Sequence, residues 1–129
     1  MKKLILLTLF FIPILGISQE DDTFYVEDIP SYNGPTKFYY NNGDLKMEIN
    51  YTDGIRNGER KLYHQNGRLK QKESWVNGII EGNVIGYYDD GVIEFQLFYK
   101  SGKREGISKK FYKNGKLNIE KYYKNDKNI

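Results

Sequence analysis

Leu45, Met47, Ile49 and Tyr51 occupy alternate positions, separated by the polar residues Lys46, Glu48 and Asn50. Further along, Ile93, Phe95, Leu97 and Tyr99 repeat the arrangement. A period of two marks a strand with one buried and one solvated face, because successive side chains of an extended chain point to opposite sides. Glycines punctuate the pattern at fixed intervals. Gly34, Gly58, Gly82 and Gly106 recur every 24 residues, as do Gly43, Gly67, Gly91 and Gly115. Gly54, Gly78 and Gly102 form a third series, with Asp126 in the fourth place. The aromatic columns Tyr39, Tyr63, Tyr87, Phe111 and Tyr51, Trp75, Tyr99, Tyr123 keep the same step, and so does Leu45, Leu69, Ile93, Leu117. Four units, 34–57, 58–81, 82–105 and 106–129, therefore tile the chain from Gly34 onward without insertion.

Glycine at this density opposes helix, whereas the longer intervals between glycines suit strands of five or six residues. Asn42-Gly43, Asn66-Gly67, Asp90-Gly91 and Asn114-Gly115 are hairpin-turn dipeptides, and Asp53-Gly54, Asn77-Gly78 and Ser101-Gly102 mark a second turn. Each unit reads as two strands and two turns. The expected fold is all-β: an elongated, twisted antiparallel sheet of about eight strands, built from four tandem β-hairpin repeats. Two registers are open at the first turn. A two-residue turn pairs His64 with Leu69, and a three-residue turn with a glycine bulge pairs Tyr63 with Leu69. The bulged form is preferred because it places Tyr63, Leu69 and Trp75 together on one face, which is then the expected buried face. The second and fourth units are poorer there, with Gln71, Glu73 and Lys121.

The N-terminus follows another logic. Lys2 and Lys3 precede an apolar run from Leu4 to Leu15, and Gly16-Ile17-Ser18 supplies small residues before a cut. This is the layout of a secretory signal peptide over residues 1–18, cleaved between Ser18 and Gln19. A membrane anchor is the alternative, but the run falls short of the ~20 apolar residues a spanning helix needs and contains Pro13. Residues 19–33 carry Glu20, Asp21, Asp22, Glu27 and Asp28 and no basic residue, an acidic leader. The expected location is the periplasm or the cell exterior.

Composition narrows the chemistry. With no cysteine, disulfides, thiolate metal sites and cysteine nucleophiles are excluded, and the single histidine excludes a histidine-rich metal cluster. No cofactor is expected. His64 stands in the column of Tyr40, Tyr88 and Tyr112, so the repeat accounts for it and no second group is placed to orient it as a base. Asp90 of the Asp89-Asp90 pair is a turn residue. From Lys100 to Ile129 ten lysines and arginines face three acidic residues, a surplus that suits solubility and edge protection or attraction to an anionic surface. Candidate binding residues are the tyrosine column Tyr40, His64, Tyr88 and Tyr112 together with Lys109, Lys110 and Lys113.

The unit Gly58-Glu-Arg-Lys-Leu-Tyr63-His-Gln-Asn66-Gly67-Arg-Leu69, followed by Trp75-Val-Asn-Gly78, resembles the bacterial variant of the MORN repeat. That variant runs glycine, tyrosine, asparagine-glycine-x-leucine, then tyrosine-x-x-glycine. Departures are Asp90 for asparagine, Ile93 for leucine, Phe111 and Trp75 for tyrosine, and Asp126 for the last glycine. The resemblance implies a β-hairpin repeat sheet and brings no catalytic residues. It also implies two roles, since bacterial relatives carry an antitoxin-like label and eukaryotic ones are membrane-associated scaffolds binding proteins or lipids. The expectation is a non-catalytic, exported interaction or scaffold module whose partner is another envelope or exported protein. The alternatives are an antitoxin-like or immunity-type inhibitor and a binder of anionic membrane or polysaccharide. Export disfavours nucleic acid.

Overall fold

The computed structural model describes residues 33–129. The expected signal peptide and, apart from Asn33, the acidic leader lie outside the described residues. Eleven strands form one antiparallel sheet: β1 (Gly34–Tyr39), β2 (Leu45–Thr52), β3 (Ile55–Tyr63), β4 (Leu69–Val76), β5 (Ile79–Ile80), β6 (Gly82–Tyr87), β7 (Ile93–Lys100), β8 (Lys103–Arg104), β9 (Gly106–Phe111), β10 (Leu117–Lys124) and β11 (Lys127–Asn128). Eight of these are the long strands of the four hairpins. The other three, β5, β8 and β11, are two-residue arms that the sequence did not suggest. Long strands follow one another across the sheet in chain order, so each hairpin touches the next and the last strands never return to the first.

Two turns of different chemistry produce this plan. At the first turn of each unit a three-residue loop closes on a glycine. In the second hairpin Gly67 donates its N–H to His64 O at 2.9 Å, and His64 N–H reaches Arg68 O at 2.8 Å. Gly67 sits at φ 82°, in the left-handed region that an L side chain enters at a cost. The bulged register expected for this turn is the one observed, with Tyr63 opposite Leu69 and the register shifting between Leu62 and Tyr63. The second turn has positive φ at both central residues, for instance 48° at Asn77 and 79° at Gly78. That geometry matches the right-handed twist of the flanking strands.

The expected membership of the buried face needs one correction. Tyr63 points away from it, and its hydroxyl donates to Glu48 Oε1 at 2.7 Å on the opposite face, beside Lys61. The bulge that sets the register also breaks the alternation, so Leu62, opposite Met47 and Gln71, takes the inward place. The core follows rows of paired residues across the sheet. One row passes through Thr36, Ile49, Arg60 and Glu73, and the registers of the following strands extend its line to the pair of Val84 and Leu97 and on to Ser108. Ile49 is 2% exposed, Val84 3%, Glu73 3% and Ser108 8%, which makes this row the most buried part of the described chain.

A carboxylate in that row requires compensation. Glu73 accepts from Arg60 Nη1 at 2.6 Å, Trp75 Nε1 at 2.9 Å and Gln71 Nε2 at 2.7 Å. Three donors, one of them a cation, replace the water that burial removes. The weak apolar content of the second unit is thereby explained, since its inward polar residues satisfy one another. A neighbouring row pairs glycine with an aromatic ring in every hairpin: Gly34 with Tyr51, Gly58 with Trp75, Gly82 with Tyr99, Gly106 with Tyr123. Backbone conformation asks for these glycines: their φ values are 118°, 112°, 86° and 75°, a region an L side chain rarely adopts. In the third hairpin Gly86 lies opposite Phe95, and a Cβ there would overlap the Phe95 ring.

Candidate functional site

The tyrosine column resolves into a set of staples between hairpins. Each of its side chains lies just beyond the end of a hairpin's first long strand, and Tyr40, His64 and Tyr88 reach the equivalent strand of the next hairpin. Tyr40 donates its hydroxyl to Tyr63 O at 2.6 Å, His64 Nε2 lies 2.8 Å from Tyr87 O, and Tyr88 donates to Phe111 O at 2.7 Å. A carbonyl only accepts, so Nε2 of His64 carries the proton. The imidazole does the same work as the phenols beside it. Tyr112, in the last hairpin, is 52% exposed. Nearby turns add bonds of the same reach, Asn66 Nδ2 to Asp89 O at 2.7 Å and Arg68 Nη1 to Asp90 O at 2.6 Å.

The three candidate lysines all lie near carboxylates. Lys113 is 2.8 Å from Asp89, Lys109 is 3.6 Å from Glu120, and Lys110 is 4.0 Å from Glu94. The hydrogen bond between Lys113 and Asp89 lowers the carboxyl pKa and raises that of the ammonium. The solvated face of the first two hairpins is ionic as well. Glu59 bridges Lys61 at 2.8 Å and Lys72 at 3.0 Å, and Glu48 lies 3.8 Å from Lys61. Hydrogen bonds from the two lysines hold Glu59 below its ordinary value. Desolvation, followed by the bond to Glu48, raises Tyr63. Among the described residues no group of three or more His, Asp or Glu is placed to hold a metal ion.

On the same face the third and fourth hairpins have a different surface. Asn83 pairs with Phe98, and Ile107 pairs with Tyr122. Phe98 is 39% exposed, Ile107 50% and Tyr122 49%. A groove of ≈ 310 Å³ runs between these pairs, lined by Asn83, Ile85, Gln96, Phe98, Ile107 and Lys109. Equivalent places in the first two hairpins hold Pro35, Asn50, Glu59 and Ser74. The sequence contained this signal, but only in the columns assigned to solvent. Phe98 and Ile107 are apolar where a half-exposed strand turns its polar side chains outward.

The family model described as MORN repeat variant matches the chain four times, over residues 32–53, 56–77, 80–101 and 104–125. No curated protein matches it.

Proposed function

The chain belongs to the MORN repeat variant family, whose repeats commonly bind proteins or membranes, and on that premise we propose that it is a non-catalytic, exported interaction module that holds a protein partner on the solvated face of its third and fourth hairpins. One observation carries the reading: Phe98 and Ile107 line a groove with Tyr122 exposed opposite Ile107, where the first two hairpins have Pro35, Asn50, Glu59 and Ser74. Adjacent exposed apolar side chains rimmed by polar ones are the common anatomy of a protein interface. Export is supported by the basic start, apolar run and small residues of 1–18.

A protein occupant is favoured over an anionic membrane or polysaccharide because Lys109, Lys110 and Lys113 each lie near a carboxylate. The inhibitor role suggested by the antitoxin-like resemblance needs the same surface, with an exported enzyme as its occupant. A photo-crosslinking residue at Phe98, used in the native envelope with mass-spectrometric identification, is expected to capture one defined protein. Ile107→Lys and Tyr122→Lys should each abolish that capture while the far-ultraviolet circular dichroism stays unchanged. Capture that survives both substitutions, or crosslinking only to lipid or glycan, overturns the reading.

A further inference from the structure

β10 is the last long strand of the sheet, and its outer edge pairs with no described strand other than the two-residue β11. A side-chain bond to a main-chain carbonyl joins each hairpin to the next, and the first junction adds an apolar pair and a charge pair. Met47 packs opposite Leu62, Glu48 lies opposite Lys61, and the Tyr40 hydroxyl bonds Tyr63 O. The residues of the fourth hairpin that correspond to Met47, Glu48 and Tyr40 are Ile119, Glu120 and Tyr112. One repeat before Leu62, Lys61 and Tyr63 stand Phe38, Lys37 and Tyr39, all on β1. Each end of the array therefore carries the half of a junction that the other end lacks. Ile119 is 44% exposed, Leu117 49%, Tyr112 52% and Tyr39 57%.

We propose that the outer edge of β10 receives β1 of a second copy of this chain, so that copies join head to tail in the register used between hairpins. Glu120 then faces Lys37 of the next copy, as Glu48 faces Lys61 within the chain. Ile119 meets Phe38, an apolar pair like Met47 and Leu62, and the Tyr112 hydroxyl donates to the carbonyl of Tyr39. The charge and apolar complementarity selects this occupant over an unrelated strand. The contact is heterologous, since the two surfaces differ, so each added copy can receive another in the same way. Growth is open, ending in chains of variable length.

The test is sedimentation of the full chain over a range of concentrations. The expected result is a concentration-dependent series of species beyond the dimer. Lys37→Glu and Glu120→Lys should each weaken association about tenfold through like-charge contact, and the double variant should recover most of it. The chain has no cysteine, so a Lys37→Cys, Glu120→Cys variant should give an oxidised ladder of oligomers. Its single-cysteine parents, mixed, should stop at the dimer. Both sites are exposed, and unchanged circular dichroism confirms that each variant folds. A monomer at all concentrations, a dimer that does not extend, as two-fold pairing of β10 with itself would give, or an association unaffected by the charge reversals overturns the proposal.

Discussion

Gly86 shows how much one hydrogen atom can carry. It sits inside a strand, where glycine ordinarily weakens a sheet, yet the Phe95 ring occupies the space a Cβ would need. Gly86→Ala is expected to destabilise the protein by about 1–3 kcal/mol, the range for forcing extra volume into a packed site. Thermal melting checks this. Combining it with Phe95→Leu should cost less than the two single changes summed, because the smaller side chain removes the overlap. Nothing in the sequence distinguished this glycine from a loop residue, since it is not one of the three repeating series. The glycine columns were legible because they recur, and the turn geometry they implied is present. Tyr63 was misplaced for a related reason. Its column is as regular as those of the core, but it marks the bulge of each hairpin, and the Tyr63 hydroxyl bonds Glu48 on the opposite face. A repeated column marks a repeated environment, and the outer face supplies one as readily as the core.

At the level of the strand, the ion pairs of β2, β3 and β4 make the first two hairpins sensitive to acid. Glu59 on β3 is held below its ordinary value by hydrogen bonds from Lys61 and Lys72. A carboxyl whose folded pKa is depressed stabilises the fold fully above its unfolded value, and loses that contribution as pH falls through the folded one. Equilibrium unfolding below about pH 4.5 should therefore show the parent losing stability with a steeper slope than Glu59→Gln. Equal slopes would mean that the three charges act independently of folding. Strand number and pairing order were readable from the intervals between turns. The arms β5, β8 and β11 were not. They arise because pairing continues for two residues beyond the tight second turn, as in Val76 with Ile79 and Trp75 with Ile80, before the register shifts ahead of the next long strand.

Across the described residues, order in the chain is order in space, and each hairpin pairs only with its neighbours. Hydrogen bonds between hairpins span about one repeat or less, 23 residues from Tyr40 to Tyr63, 22 from Arg68 to Asp90 and 15 from Tyr63 to Glu48. Elongation and repeat number were therefore legible without knowledge of any tertiary contact. The candidate surface was not, because the columns that line it vary from unit to unit. A surface built by departures from a repeat is invisible to a method that finds the repeat.

The staples have one more consequence. Tyr40, His64 and Tyr88 all end on a main-chain carbonyl, which every residue possesses, so the receiving hairpin need not carry any particular side chain. Excising residues 82–105 would present Phe111 O to His64 in place of Tyr87 O, with the bond unchanged. Such a three-hairpin chain is expected to unfold cooperatively at a lower temperature, a property calorimetry can check. Loss or gain of one 24-residue block is thus a conservative change for this architecture. Unequal crossing-over between its coding repeats would alter the span of the protein in fixed steps while sparing its fold, leaving length itself open to selection.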